Sequence, residues 1–416
     1  MEDFEVIKNK ASWCLNCKNK PCSEACPMHT DIPEFIERIK ENKIEEAYQI
    51  LVKNNLLTHI CSLVCPQEYQ CQGACIRGIK ATSTEIGKLE AFVNEWAIEN
   101  NVKPAIVPER NNKNIRVAII GSGPSGLSCS FELAKKGIQS VVFEKENELG
   151  GLLNYGIPDF RLDKKIVDRV INVLKELGVE FKTGQEWGKD FSLEDMKREF
   201  DYVFIGIGAE ISNVYSLTNQ KINTIYDSDF FLRTYHIKKS ISNLGKVVVI
   251  GGGNVAMDSA RAAIRMGAEE VSILYRRDKN HMPARKSELE DAIKEGVKWI
   301  ELTRVEKANI ENEKLKSLHC YKTQIVDGKA KDVPGTEFDY EADTVIFAIG
   351  LKPNQELLQR EGLELTDLGT IKVDENNQTS IENVYSGGDV TENKSVVCKA
   401  LASGKKAAEA IILKAN

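Results

Sequence analysis

The sequence is short of several things, and each shortage closes off a class of protein. No apolar run approaches the roughly 18 residues that would cross a bilayer. Met1 to Asn9 carries acids instead of the basic-then-apolar layout of a secretory signal. Both absences point to a cytoplasmic protein with no membrane partner. There is no excess of base either: 56 Lys and Arg are outnumbered by 62 Asp and Glu, the two signs are interspersed, and the formal charge is -6, so nucleic acid is a poor partner. Beyond residue 75 cysteine nearly disappears. Cys129, Cys320 and Cys398 stand alone, so they read as packing residues and disfavour a dithiol-based disulfide reductase. The composition is otherwise ordinary for a folded protein, 42% hydrophobic and 28% charged, and 416 residues suffice for two or three domains.

What is present is concentrated at the front. Eight of the eleven cysteines fall in the first 75 residues, as Cys14, Cys17, Cys22, Cys26 and then Cys61, Cys65, Cys71, Cys75. In a reducing cytoplasm such clusters are metal ligands rather than a disulfide framework. The first set ends in Cys26-Pro27 and the second contains Cys65-Pro66, the cysteine-proline pattern of paired ferredoxin clusters, which favours iron-sulfur over tetrahedral zinc. Between the sets, Asp31 is placed to cap a helix with Pro33 in its first turn and Ile32, Phe35, Ile36 and Ile39 along one face. Ile44, Ala47, Tyr48, Leu51 and Val52 mark a second helix. If Cys26, Cys65, Cys71 and Cys75 hold one cluster, then Cys14, Cys17 and Cys22 need a fourth ligand. Cys61 is the obvious candidate. Glu90 is the less obvious one, on a helix with Ile86, Val93 and Ala97, whose spacing turns its carboxylate toward an apolar face.

Two dinucleotide-binding patterns follow. Ile115 to Ile120 reads as a strand leading into Gly121-Ser122-Gly123-Pro124-Ser125-Gly126 and a helix through Lys136. Gly121 serves the tight turn, Gly123 the approach of a pyrophosphate and Gly126 the contact of helix on strand. The next strand, Ser140 to Phe143, ends in Glu144, followed by Lys145, where an acid binds an adenosine ribose. The second unit repeats the plan with Val247 to Ile250, then Gly251-Gly252-Gly253-Asn254-Val255-Ala256, a helix through Met266 and the strand Val271 to Leu274. It ends in Tyr275-Arg276-Arg277, and arginine in place of the acid suits a 2'-phosphate, pointing to NADPH over NADH. The first unit is therefore expected to hold FAD. Tyr202 to Gly208 and Val345 to Gly350 read as buried strands at the crossovers, and Gly388-Asp389 precedes a helix from about Val396 that can face a flavin.

Taken together these residues resemble the glutamate synthase small-subunit family, which includes the electron-input half of dihydropyrimidine dehydrogenase and NADPH:ferredoxin oxidoreductase subunits. The resemblance spans nearly the whole chain. It rests on both cysteine sets, the two glycine turns, Gly150-Gly151-Leu152-Leu153-Asn154-Tyr155-Gly156-Ile157-Pro158 leading to Phe160-Arg161-Leu162, Tyr275-Arg276-Arg277 and Gly388-Asp389. It implies that Gly150, Gly151, Leu152 and Arg161 also line the FAD site, and that Gly252 to Val255 with Arg276 and Arg277 hold NADP(H). Ala348, Ile349 and Gly350 would border that second site. Family members complete one cluster with a glutamate or glutamine, which favours Glu90 over Cys61. One departure is Ile205-Gly206-Ile207-Gly208-Ala209, where the family has an Ala-Thr-Gly turn.

The expectation is an α/β protein: an all-helical domain with two 4Fe-4S clusters over residues 1–108, an FAD domain over 113–230 and 346–416, and an inserted NAD(P)H domain over 231–345. Hydride from NADPH would reach FAD, and single electrons would leave through the clusters to a separate catalytic subunit or a ferredoxin. No side-chain acid or base is required, so no catalytic residue is nominated. The alternative is a redox sensor that binds nucleotide and metal without turnover.

Overall fold

A computed structural model describes residues 3–110, 114–392 and 396–415. The chain divides into two compact units, one made of 1–153, 160–209 and 353–416, the other of 154–159 and 210–352.

In the first unit the N-terminal region is helical, with Phe4–Ser12, Ile32–Lys40, Ile44–Asn54, Thr58–Val64 and Ile86–Glu99 as its longer elements. The apolar faces read from the sequence meet in one core. Ile32, Phe35, Ile36, Ile39, Ala47 and Leu51 are buried there with Leu89 and Val93, and Cys14, Cys22, Cys26 and Cys71 pack against or within it. Asp31 does precede the helix Ile32–Lys40, but its carboxylate caps nothing. It takes Lys20 Nζ at 2.8 Å instead, and Ser23 Oγ accepts the Ile32 N–H. Ser23, in the short helix Pro21–Glu24, supplies the side-chain acceptor in place of the expected cap.

The same unit contains a five-stranded parallel sheet in the order Val384–Ser386, Tyr202–Ile205, Arg116–Ile120, Gln139–Glu144, Glu180–Thr183. Its two central strands are buried on both faces, as parallel strands covered by helices are. The helical region is not a separate body. Lys405 Nζ reaches Asn54 Oδ1 at 2.7 Å and Gln70 meets Cys398, which ties the helices to the C-terminal helix Val397–Ala415.

The second unit has its own parallel sheet, ordered Ile225–Asp227, Thr344–Phe347, Lys246–Ile250, Glu270–Leu274, Lys298–Ile300. An antiparallel sheet built on the long hairpin Thr303–Glu311 and Lys314–Val326 adjoins it in sequence. The divisions fall at 210 and 353, not at the expected 231 and 345. The reason is strand pairing: Ile225–Asp227 and Thr344–Phe347 pair with each other and the latter with Lys246–Ile250, so both belong to the inserted unit. Of the expected limits, residues 1, 113 and 416 lie outside the described residues.

Helix Pro124–Lys135 and helix Val397–Ala415 touch backbone to backbone. A Cβ added at Gly404 would run into the Ser125 carbonyl oxygen, an atom no rotamer change can move. Gly404→Ala gains about 1 kcal/mol of helix propensity but overpacks a rigid contact at a cost of about 3 kcal/mol or more. We therefore expect a net loss of about 2 kcal/mol in denaturant unfolding; unchanged stability would refute the close approach.

Candidate functional site

The first glycine turn is shaped by backbone crowding on one side and open space on the other. Gly121 has φ +99° and a side chain there would sit 2.6 Å from the Gly206 carbonyl oxygen. At Gly126 a Cβ would strike the Gly121 carbonyl oxygen, whereas beside Gly123 nothing comes nearer than 4.0 Å. Gly123 is the N-cap of helix Pro124–Lys135 and no side chain caps it. The leading N–H groups of the helix, Ser125 among them, are therefore left without a side-chain partner beside open space, an arrangement suited to an anion. The family's Ala-Thr-Gly turn is not needed for this, because Gly206 supplies the carbonyl that Gly121 must clear.

Glu144 ends the neighbouring strand and is buried. Its Oε2 accepts the Ser122 N–H at 3.0 Å and the Ser122 hydroxyl at 2.5 Å, while Oε1 accepts the Glu146 N–H. Ser122 Oγ in turn accepts the Gly150 N–H at 2.9 Å, and a Cβ on Gly151 would lie 3.1 Å from Gly123 Cα. Gly388, with φ +80°, sits against Ser125. The structure thus gathers Gly121 to Gly126, Glu144, Gly150, Gly151 and Gly388 around one turn. Lys145, Leu152 and Arg161 lie on the adjoining stretch of chain and Asp389 directly follows Gly388, each half-buried.

In the second unit a Cβ at Gly251 would meet the Ala348 carbonyl oxygen, and Gly253 opens on free space as the N-cap of helix Asn254–Arg265. A side chain at Gly252 would enter the Tyr275 ring, so this glycine accommodates an aromatic whose hydroxyl donates to the His281 carbonyl. Asn254 Oδ1 is used by the Arg285 N–H, and Val255, Ile349 and Gly350 are exposed while Ala348 is buried. The carbonyls of Arg276 and Arg277 are pinned by Thr323 Oγ1 and Leu302 N. Neither guanidinium forms an ion pair among the described residues, so both forks remain uncommitted at the strand end.

The cysteines sort into two groups, and not as their order suggests. Cys14, Cys17, Cys22 and Cys75 line one pocket, with Arg77, Thr84 and apolar residues around them. Cys75, and neither Cys61 nor Glu90, lines this pocket with the first three. The 3-10 turn Ile76–Ile79 follows it directly, and its thiol donates to Thr84 Oγ1 at 3.7 Å. Burial pushes the Cys14 thiol up and the Cys22 thiol up to about 11. Burial would raise Cys75 as well, but hydrogen bonds with Thr84 and the N–H groups of Arg77 and Gly78 outweigh it and lower this thiol.

The second group is deeper. Glu90 acts on both Cys26 and Cys71, and Cys26 on Cys71, while burial raises both thiols. Burial also pushes the Glu90 carboxyl up to about 7, against the hydrogen bond it accepts from Thr58. Cys65 lies against Cys61 and Cys398, and Cys398 is the thiol that acts on Glu90. The Cys65–Cys398 hydrogen bond raises the former and lowers the latter. Cys61 also accepts from Asn55 Nδ2 at 3.3 Å, so it is a neighbour of Cys65 and not of Cys14, Cys17 and Cys22.

Among the described residues no three His, Cys, Asp or Glu side chains converge closely enough to hold a single metal ion. Four soft thiols ringing a pocket instead fit an iron-sulfur cube, each corner iron taking one thiolate. The raised thiols are consistent with that: deprotonating them in a buried place requires cations that the protein itself does not supply. Cys129, Cys320 and Cys398 are all buried, but Cys398 also meets other cysteines. It stands in the second group, and a lone cysteine so far along the chain carries no sequence signal of that placement.

Comparison with known proteins follows the same division. Residues 115–407 match the family model of pyridine nucleotide-disulphide oxidoreductases. Residues 2–102 match that of dihydropyrimidine dehydrogenase domain II, 4Fe-4S cluster. The glutamate synthase [NADPH] small chain of Escherichia coli (strain K12) is 35% identical over 97% of this chain and 90% of its own. The NADPH-Fe(3+) oxidoreductase subunit beta of Geobacter sulfurreducens is 33% identical over 94% of this chain and 63% of its own. Among solved structures, Mycobacterium tuberculosis FprA in complex with NADPH aligns at TM-score 0.60 and 18% identity over 72% of this chain and 84% of that one, a likeness of fold.

The Glu90 carboxyl gives a pH test. Its folded value near 7 lies above the unfolded value of about 4.3, so the contribution is full below about 4.3 and is lost as pH rises through 7. In iron-free protein, Glu90→Gln should therefore be more stable than wild type at pH 8 by roughly 2 kcal/mol, with the gap closing by pH 4. Thermal unfolding across that range measures it; a gap independent of pH contradicts the assignment.

Proposed function

This chain belongs to the family of the glutamate synthase small chain, and from that membership we propose that it is the electron-input part of a two-part NADPH-dependent oxidoreductase. FAD held by this chain would supply an acceptor for one hydride, that is two electrons with a proton, from NADPH, and 4Fe-4S clusters would supply one-electron carriers to pass those electrons on singly. The turn Gly121 to Gly126 with Glu144, Gly150, Gly151 and Gly388 holds the FAD. Lys145, Leu152, Arg161 and Asp389 extend that site. Gly251, Gly252, Gly253, Asn254 and Val255 hold the nicotinamide nucleotide, bordered by Ala348, Ile349 and Gly350. Arg276 and Arg277 grip its 2'-phosphate.

Two clusters are assigned, an outer one on Cys14, Cys17, Cys22 and Cys75 and an inner one on Cys26, Cys65, Cys71 and Glu90. The observation that carries the reading is the position of Cys398. It lies on the helix that follows the Gly388 turn and touches Cys65, so one element links the flavin-binding turn to the inner group. The outer cysteines are all half-buried, as is Cys26, while Cys65 and Cys71 are buried, which supports electron flow from inner to outer centre and then to a partner. That partner is a separate catalytic chain, of the glutamate synthase large or pyrimidine-reducing kind, or a ferredoxin. The protein's own residues orient and bind; none transfers a proton.

Anaerobic mixing with NADPH should bleach the flavin and then give two paramagnetic signals. Bleaching without any iron signal would refute the wire and favour a nucleotide sensor. Cys75→Ser should remove one signal and Cys71→Ser the other, in each case leaving its companion; loss of the same signal in both variants would overturn the grouping. Arg276→Glu with Arg277→Ala should depress flavin reduction by NADPH tenfold or more, from the loss of charge-assisted contacts, and leave NADH reduction nearly unchanged. An unaltered preference in steady-state rates would count against the 2'-phosphate assignment.

A further inference from the structure

Arg77 follows Cys75 by two residues and lines the same pocket as Cys14, Cys17, Cys22 and Cys75. Its guanidinium carbon stands 4.6 Å from the centre of the Trp13 ring, a cation–π contact that holds the group flat against a residue adjoining Cys14. One nitrogen, Nη1, is shielded from water and meets no hydrogen-bond acceptor among the described residues. A buried guanidinium N–H without an acceptor is rare and costly in a finished structure. Two other cations near these thiols are already engaged: Lys40 Nζ donates to the Cys14 carbonyl at 3.1 Å and to Glu37 at 3.0 Å, and Lys20 Nζ, near Cys22, donates to Asp31 at 2.8 Å. Arg77 is thus a fixed positive charge with a spare donor, held at the rim of a ring of thiols.

We propose that Arg77 is a positioning residue that sets the reduction potential of the outer cluster, its Nη1–H donating to a sulfur of that cluster. The inference rests on the outer-cluster reading above. A cluster bearing thiolates gains negative charge with the added electron, so a nearby cation and an N–H···S bond stabilise the reduced form more than the oxidised one. Arg77 therefore makes the outer centre easier to reduce than it would be without that charge, which favours electron flow toward the surface.

The test is a potentiometric titration of the holoprotein followed by electron paramagnetic resonance, with iron and sulfide measured on each sample. In Arg77→Gln the reduced-to-oxidised ratio of the outer centre at a fixed potential should fall about tenfold, equal to about 59 mV for one electron, while the inner centre stays where it was. Fully loaded Arg77→Gln with both midpoints unmoved overturns the proposal. Should Arg77→Gln load incompletely, Arg77→Lys, which keeps the charge, decides. Full loading with a midpoint close to wild type supports the proposal, and incomplete loading of both variants shows a role in holding the cluster and overturns it. Wild-type protein devoid of iron and sulfide would instead defeat the outer-cluster reading itself.

Discussion

Cysteines packed into an apolar helical core, their thiols held protonated by burial, are the constraint from which this structure follows. Cys22, Cys26, Cys65 and Cys71 are all pushed toward the protonated form by their surroundings, and Glu90 with them. Such a donor set is unfavourable as a bare protein core and favourable once iron neutralises it. The helices of the N-terminal region are short, between four and fourteen residues, and several of their ends lack side-chain caps. Their apolar faces close over the cysteines as much as over one another, so metal and fold are linked in one equilibrium.

The nucleotide turns obey a different constraint, the avoidance of overlap. Gly121, Gly126, Gly251 and Gly404 are glycine because a carbonyl oxygen occupies the place of a side chain, whereas Gly123 and Gly253 face open space. These two situations look identical in a sequence. Gly252 belongs with the first set, its crowding neighbour being the Tyr275 ring.

Local periodicity made much of the fold readable. The helices Ile32–Lys40 and Ile44–Asn54, both central strands and both glycine turns are where their apolar spacing indicated, because those features are set within a few residues of chain. What could not be read depends on distant segments. Cys75 lines one pocket with Cys14, Cys17 and Cys22, far from it in sequence, and Cys398 sits by Cys65 because two helices far apart in sequence touch. The boundary at 210 was hidden for the same reason: Ile225–Asp227 is a three-residue strand whose sheet is decided by its partner at 344–347. Arg77 and Trp13 gave no pattern at all, since a ring and a guanidinium that stack across 64 residues leave no periodic trace.

The C-terminal helix Val397–Ala415 carries Cys398 near its start and Gly404 farther along, where it lies on the Ser125 backbone. A single stiff rod thus bears on both an inorganic site and a phosphate turn, and its pitch sets their separation. Grafting the N-terminal helices of another protein onto this nucleotide unit would bring in new thiols, but the new module would have to receive the tip of that rod in the same register. Modular exchange of such redox parts is accordingly restricted to pieces that share the rod.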